Sequence, residues 1–178
     1  MLIARYIFVF IVTAAALAAS VSAQPRPSDP KSAVRAFMRF DGSNSQVFDR
    51  KAIDARRRWF SEELYGLFLK ELEREKEFLK ANPTDKPHFG DGLPFRPLDE
   101  VCELKGRKYR RTITYGQETV KGDLANVDVR FSYPKGCNIP DILYAFNMSR
   151  ENGRWVIDDV RYFPENTSLV EDLKRAEY

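Results

Sequence analysis

The sequence has 178 residues, of which 43% are hydrophobic and 13% aromatic, and its 29 Lys and Arg residues nearly balance its 26 Asp and Glu residues. The formal net charge of +3 argues against a general nucleic-acid binder, which needs a strong basic excess. The aromatic content excludes a disordered chain.

The first 23 residues have the order of a secretory signal peptide. A charged start ending at Arg5 precedes the uncharged run 6–19, and the compact residues 21–23 follow it. An uncleaved membrane anchor needs about 20 apolar residues, and this run is shorter. The sequence therefore predicts cleavage after Ala23 and a mature protein that is periplasmic or secreted, with no membrane span. Removing 23 residues from 178 leaves 155, which suits one domain.

The chain contains two cysteines, Cys102 and Cys137, and both lie in the predicted exported part. An oxidising compartment favours a disulfide between them. This bond would close a loop of about 36 residues and stabilise the fold by roughly 3–4 kcal/mol on the chain-entropy model. A reactive thiol and a metal pair are the alternatives, but His88 is the sole histidine and the set is poor for zinc. We therefore expect no metal site.

The N-terminal half predicts helices after a short extended lead-in at 24–28. Asp29-Pro30 has the residues of a helix start, and Gly42 is a plausible end. A second helical stretch is expected from Asp49. The strongest helix begins at Ser61, whose hydroxyl can cap it, and ends at Asn82-Pro83 because the residue before a proline resists helical geometry.

Segment 83–97 contains four prolines and two glycines and shows no periodicity. These features predict a loop. Its apolar residues Phe89, Leu93 and Phe95 are expected to pack the loop against the domain.

After residue 100 the apolar period changes from 3.6 to 2, which is typical of strands. Asn152-Gly153 predicts a hairpin turn, and a slip in the alternation between Asp158 and Asp159 predicts a bulge. Ser168 and Glu171 fit a capping box that opens a short final helix. The predicted strands lie near residues 108–115, 122–133, 142–148 and 155–162.

Helices first and an antiparallel sheet second predict an α+β fold for a single domain spanning 29–178. The helices are expected to pack on one face of a sheet of about four strands.

The segment 153–162, which reads G-R-W-V-I-D-D-V-R-Y, and the segment 167–173 resemble the ending of small exported bacterial domains of unknown function. Those domains belong to the nuclear transport factor 2-like superfamily. Segment 59–64 is similar to the opening of their main helix, and the resemblance covers roughly residues 30 to 175. It implies a cone, in which a strongly curved sheet wraps around the helices and leaves a cavity at the wide end.

The first functional hypothesis is a non-catalytic binding or protein-interaction module for a protein partner or a small apolar ligand. It uses no cofactor and has no catalytic residue. The basis of this hypothesis is a predicted concave sheet face lined by aromatic side chains. The alternative is that each of these rings simply packs in the hydrophobic core. The candidate pocket-lining residues are Phe37, Tyr115, Phe131, Tyr144 and Trp155.

The second hypothesis is an enzyme of the isomerase or dehydratase kind, which needs a buried acid–base pair. Asp128 and Asp159 are the strand carboxylates, and Tyr115 or Tyr144 could donate a hydrogen bond. Asp128 falls on the polar side of its strand, which indicates exposure. His88 lies in the proline-rich loop, where a surface role is expected.

A third hypothesis is attachment to an anionic envelope polymer or to nucleic acid. The basic clusters are Arg56 to Arg58 and 105–111, with Tyr109 inside the second. Nearby acidic residues and the small net charge favour an ordinary solvated face over such a surface.

Overall fold

The structure, a computed structural model, describes residues 29–98 and 100–175. They form an α+β fold, as the order of sequence patterns predicts. The predicted signal peptide and the lead-in at 24–28 lie outside the described residues.

The predicted helix starts are confirmed, with the expected caps at Asp29 and Ser61, and Asp49 also caps the second helix. Asp29 Oδ1 accepts a hydrogen bond from Ser32 N at 2.7 Å, and Asp49 Oδ1 accepts one from Ala52 N at 2.6 Å. Ser61 accepts one from Leu64 N at 3.3 Å. Within the described ranges the helices are α1 (Pro30–Gly42), α2 (Arg50–Arg56) with a 3₁₀ turn (Arg57–Trp59), α3 (Glu62–Ala81) and α4 (Leu169–Arg175).

The strands form two separate antiparallel sheets. The main sheet has the order β3-β4-β5-β6-β7, so it contains five strands rather than about four, and the additional one is the two-residue β7. A small sheet pairs β1 with β2. The strands are β1 (Cys102–Leu104), β2 (Arg107–Tyr109), β3 (Thr112–Lys121), β4 (Leu124–Ser132), β5 (Ile142–Glu151), β6 (Arg154–Phe163) and β7 (Thr167–Ser168).

The prediction of one strand over 108–115 is wrong. Strand β2 ends at Tyr109 and pairs with β1, whereas β3 begins at Thr112 and pairs with β4. Arg110 and Arg111 join the two sheets. Tyr109, Ile113 and Tyr115 keep the same two-residue phase on both sides of this junction, so the pattern alone could not show that the chain changes its partner strand.

Two local predictions in the C-terminal half are confirmed. Asn147 pairs with Asp159 and Met148 pairs with Ile157, which leaves Asp158 as the extra residue of a bulge in β6. Asn152 and Gly153 have φ values of 50° and 72°, as the hairpin between β5 and β6 requires.

The hydrophobic core lies between the helices and one face of the main sheet. Helix α1 contacts β3, β4 and β6, while α3 contacts β6 and α4. Phe37 of α1 is fully buried at the centre, with ring centroids 5.0 Å from Phe95, 5.9 Å from Phe60 and 6.1 Å from Phe146. These edge-on contacts join a helix, the 83–97 loop and the sheet in one aromatic cluster.

The predicted disulfide between Cys102 and Cys137 is confirmed, and the two Cα atoms are 5.6 Å apart. Cys102 lies in β1 and Cys137 in the connection between β4 and β5. The bond therefore ties the small sheet to the main sheet beside the Arg110–Arg111 junction.

The burial contrast within β6 gives the first testable prediction. Trp155 is 6% exposed and belongs to the core, whereas its neighbour Arg154 points to solvent. We expect Trp155→Ala to lower the free energy of unfolding by about 3–5 kcal/mol, because it leaves a cavity. Arg154→Ala should change it by less than about 0.5 kcal/mol. Urea denaturation of both variants measures the contrast, and equal small losses would show that the orientation of β6 is wrong.

Candidate functional site

A cleft of about 310 Å³ opens where the end of α1, the loop before β1 and the start of β3 meet. Leu93, Ile113 and Phe131 form its apolar wall, and Leu98 adds an exposed apolar side chain. The volume lies near the lower end of the roughly 300–1,000 Å³ range of small-molecule sites.

The 83–97 loop, which supplies one side of the cleft, is fixed by its own backbone. Leu93 N donates a hydrogen bond to Gln46 O at 2.9 Å, and the Tyr162 hydroxyl donates one to Pro94 O at 3.2 Å. Gly92 has a φ of 120°, and a Cβ there would lie 2.7 Å from Gln46 O. The close approach of these two segments therefore requires glycine at position 92.

A buried ion cluster holds the same loop to the helices. Asp41 and Arg56 are fully buried, and Arg56 Nε donates to Asp41 Oδ1 at 2.8 Å. Arg96 Nε donates to the other carboxylate oxygen at 2.7 Å, and Arg96 Nη2 also bonds to Met38 O. Arg56 further donates to Ala52 O and Ser45 O, both at 2.9 Å. The cluster joins α1, α2 and the loop, and it sets the position of Arg96 in the cleft wall.

Three arginines bring positive charge to the cleft. Arg96 is held by Asp41, while Arg110 and Arg111 come from the junction between the two sheets. The Arg111 guanidinium lies 4.8 Å from the Tyr133 ring centroid, and its Nη2 donates to Glu100 Oε1 at 3.0 Å. The sequence patterns placed Arg110 and Arg111 in a basic run and in the predicted strand over 108–115, but not in a ligand site.

The predicted pocket-lining residues occupy three environments. Phe131 lines the cleft, and the Tyr144 ring packs edge-on against Phe131 at 5.1 Å. Phe37 and Trp155 are buried in the core, outside the lining of the described cleft. Tyr115 is half-buried beneath the Arg35 guanidinium, 5.1 Å from the ring centroid. The fold thus brings together Phe131 and Tyr144, and the role of the set in ligand contact stays a prediction.

The two tyrosines behind the cleft wall remain neutral phenols at ordinary pH. Burial raises the pKa of Tyr144 to about 12, although the positive charge of Arg111 opposes part of this rise. Burial also raises the pKa of Tyr162 well above its usual value. Both can form hydrogen bonds, but neither is poised to act as a base.

The strand carboxylates considered for catalysis, Asp128 and Asp159, and the candidate donors Tyr115 and Tyr144 all lie outside the lining of the described cleft. Asp159 accepts hydrogen bonds from Val160 N at 2.8 Å and Val170 N at 3.0 Å, so it joins β6 to the start of α4. Asp128 is half-buried in β4 and does not line the described cleft. Burial raises the pKa of Asp158 in the bulge, where Ser149 donates to it at 2.9 Å. Sequence reasoning recognised the bulge but did not single out Asp158 as a buried carboxylate.

His88 is exposed, as expected for a residue of this loop, and it also makes a structural contact. Its Nδ1 lies 3.0 Å from Oε1 of the fully buried Glu71, and its ring stacks on Phe89. Glu71 also pairs with Arg74, and Glu75 Oε1 accepts a hydrogen bond from Phe89 N at 2.6 Å. The hydrogen bond to Glu71 raises the pKa of His88 above 6.5. No sequence signal linked residues 71 and 88, because they lie in a helix and a loop that meet only in the fold.

The fold places the three arginines of the basic cluster Arg56 to Arg58 in different environments. Arg56 is fully buried against Asp41, while Arg57 stacks over the Tyr65 ring at 4.4 Å. The Arg58 guanidinium lies 3.9 Å from the Trp59 ring centroid. Only Arg57 and Arg58 therefore contribute to the surface charge.

Comparison of the chain with family models, with curated proteins and with solved structures found no match. No helix in the described ranges 29–98 and 100–175 is long and apolar enough to cross a membrane. The same ranges contain no group of three or more His, Cys, Asp or Glu side chains placed to hold a metal ion.

The buried ion cluster gives the second testable prediction. Asp41→Asn keeps the shape of the side chain but leaves two guanidinium groups without their carboxylate. We expect a loss of about 3–5 kcal/mol in the free energy of unfolding, because a buried charge loses its partner. Glu73→Gln removes an exposed partner of Lys76 and should cost less than about 1 kcal/mol. Urea denaturation compares the two, and a similar small cost for both variants would contradict the structural role of Asp41.

The contact between His88 and Glu71 gives the third prediction, which concerns pH. Because the folded-state pKa of His88 is raised, its contribution to stability is present below about pH 6.5 and is lost as pH rises through the folded value. Glu75 and Asp172 also face His88 electrostatically, and burial raises the pKa of each carboxyl group above its usual value.

We therefore expect the stability of the wild type to fall between pH 6 and pH 9, and His88→Gln to lack that part of the decline. Urea denaturation at each pH measures it. Since His88 is the sole histidine, no other imidazole contributes. Parallel pH profiles for the two proteins would disprove the contact.

Proposed function

We propose that this protein is an exported, non-catalytic binding module that takes a small ligand into the cleft between the 83–97 loop and the start of β3. The observation that carries the proposal is the composition of this cleft. An apolar wall of Leu93, Ile113 and Phe131 stands beside the guanidinium groups of Arg96, Arg110 and Arg111. Ligand sites in proteins combine an apolar lining with a few polar groups in this way.

Rigid support for both sides of the cleft favours binding. The loop side is held by the Asp41 ion cluster and by the bonds of Leu93 and Pro94 to neighbouring segments. The strand side is held by β4 pairing and by the disulfide of Cys102. A preorganised binding site loses less conformational entropy when the ligand binds.

The distribution of carboxylates favours binding over catalysis. Glu75, Asp158 and Asp172 have pKa values raised by burial, which is the property expected of an acid–base catalyst. None of the three lines the described cleft. An isomerase or dehydratase would need such a carboxylate next to its ligand.

We further propose a cone of the nuclear transport factor 2-like kind, with the cleft at its wide end. Register shifts in β3 between Tyr115 and Glu118 and in β6 at Asp158 support a bent sheet, since bulges bend strands. The helices on one sheet face are consistent with such a cone. Export rests on the signal-peptide pattern of residues 1–23, and the paired cysteines suit an oxidising compartment.

A fragment screen observed by NMR gives the fourth prediction. We expect that some neutral and anionic aromatic fragments bind saturably. Those that do should shift the NMR signals of the Ile113 methyl groups. Leu98→Asn should weaken these fragments several-fold, because it removes exposed apolar surface at the cleft. Val101→Asn is the matched control: Leu98 and Val101 are 63% and 80% exposed, but only Leu98 lines the cleft. Binding that concentrates elsewhere, or an equal effect of the two variants, would overturn the proposal.

A further inference from the structure

Arg111 is incompletely paired by the protein's own side chains. Its side chain is only 4% exposed, yet among the described residues its Nε and Nη1 have no hydrogen-bond partner. Buried polar groups are almost always hydrogen-bonded in folded proteins, and a charged donor left without an acceptor is especially unfavourable. Nε and Nη1 are closed to solvent, but Arg111 lines the cleft, so an acceptor from a ligand can approach its guanidinium group there.

Among the described residues, the carboxylate that pairs with Arg111 is held loosely. Glu100 reaches only Nη2, at 3.0 Å, and its own side chain is 58% exposed. Because the Glu100 end of this pair is exposed, solvent and side-chain entropy offset part of its attraction to Arg111. A ligand can therefore replace Glu100 at small cost, whereas the Tyr133 ring keeps the guanidinium in place.

The charges around the cleft favour an anion. The Asp41 carboxylate is shared by two arginines, and Asp91 is paired with Lys86. Arg110 is exposed, and within the described part of the chain it forms no ion pair. Among the described lining residues and the groups linked to them by ion pairs, cations outnumber carboxylates: Arg56, Lys86, Arg96, Arg110 and Arg111 face Asp41, Asp91 and Glu100.

We propose that the ligand is a small carboxylate with an apolar body, whose carboxylate pairs with Arg111 and displaces Glu100. The body packs on Ile113 and Phe131. This inference rests on the proposed function of the cleft. A planar carboxylate matches the geometry of a guanidinium, and a carboxylate is the group that Arg111 already holds. Specificity then comes from the charge, and the apolar wall adds affinity.

The test compares three probes of the same ring system: 1-naphthoate, neutral 1-naphthalenemethanol and 1-naphthyl phosphate. Calorimetry at low salt gives the affinities, and the Arg111 Nε–H NMR signal reports the contact. We expect 1-naphthoate to bind about tenfold or more tightly than the alcohol, since a charge-assisted hydrogen bond is gained. The preference should shrink at high salt. Tighter binding of the phosphate would overturn the choice of a carboxylate.

Variants of two exposed acidic residues, Glu100 and Glu103, test whether Glu100 competes with the ligand for Arg111. Glu100→Gln should tighten the binding of 1-naphthoate several-fold, because it removes the carboxylate that competes with the ligand for Arg111. Glu103→Gln in β1 makes the same charge change, and no ion pair is described for Glu103, so its effect should be small. Arg111→Gln should abolish the preference for the carboxylate over the alcohol, provided that circular dichroism shows the fold intact. Equal effects of the two glutamate variants would overturn the role of Arg111.

The outcomes separate this inference from the proposed function. If the alcohol and the carboxylate bind the cleft equally and Leu98→Asn weakens both, the cleft is a binding site but the inference about charge is wrong. If all three probes bind elsewhere, with no shift at Ile113 or Arg111, both are wrong. A shift of the Arg111 signal with 1-naphthoate alone supports both.

Discussion

The carboxylate of Asp41 is the point on which the arrangement of helices and loop depends. It is fully buried and accepts hydrogen bonds from two arginines, one in α2 and one at the end of the 83–97 loop. Burying the charges of Asp41 and Arg56 is unfavourable unless their hydrogen-bonding groups are matched. Here the backbone oxygens of Met38, Ser45 and Ala52 accept the remaining hydrogen bonds of the two arginines. The geometry of the cluster therefore allows one placement of the loop against the helices.

The loop owes its order to this cluster and to the aromatic core together. Phe95 inserts among Phe37, Phe60 and Phe68, while Arg96 next to it turns toward Asp41. Adjacent residues thus secure the loop in two different ways, by apolar packing and by charge. A long segment without regular structure becomes a fixed wall of the cleft for this reason.

The junction at Arg110 and Arg111 supplies the side of the cleft that lies opposite the 83–97 loop. The chain leaves the small sheet after Tyr109 and enters the main sheet at Thr112, so two arginines fall at the edge of the cleft without pairing in either sheet. The disulfide from Cys102 holds the small sheet close by. The position of Arg111 therefore follows from the way in which two sheets are joined, and its chemistry follows from the few acceptors that this position offers.

Predictions that depend on neighbours in the chain agree well with the structure. Helix caps at Asp29, Asp49 and Ser61, the turn at Asn152-Gly153, the bulge at Asp158 and the capping box at Ser168 all use contacts within a few residues. The disulfide was predictable because the chain has only two cysteines. The pattern of apolar residues also assigned the core face of β4 and β6, since a strand alternates.

Contacts between distant segments were decided only by the tertiary structure. The sequence shows Asp41, Arg56 and Arg96 as three ordinary charges, and only folding makes them one buried cluster. His88 and Glu71 are likewise 17 residues apart in the sequence and come into contact only in the folded protein. The division of residues 108–115 between two sheets was invisible because alternation specifies a strand but not its partner. By itself the sequence determined the local elements and the face that each one buries. The cleft and its incompletely paired guanidinium group arise from long-range packing, which no local pattern encodes.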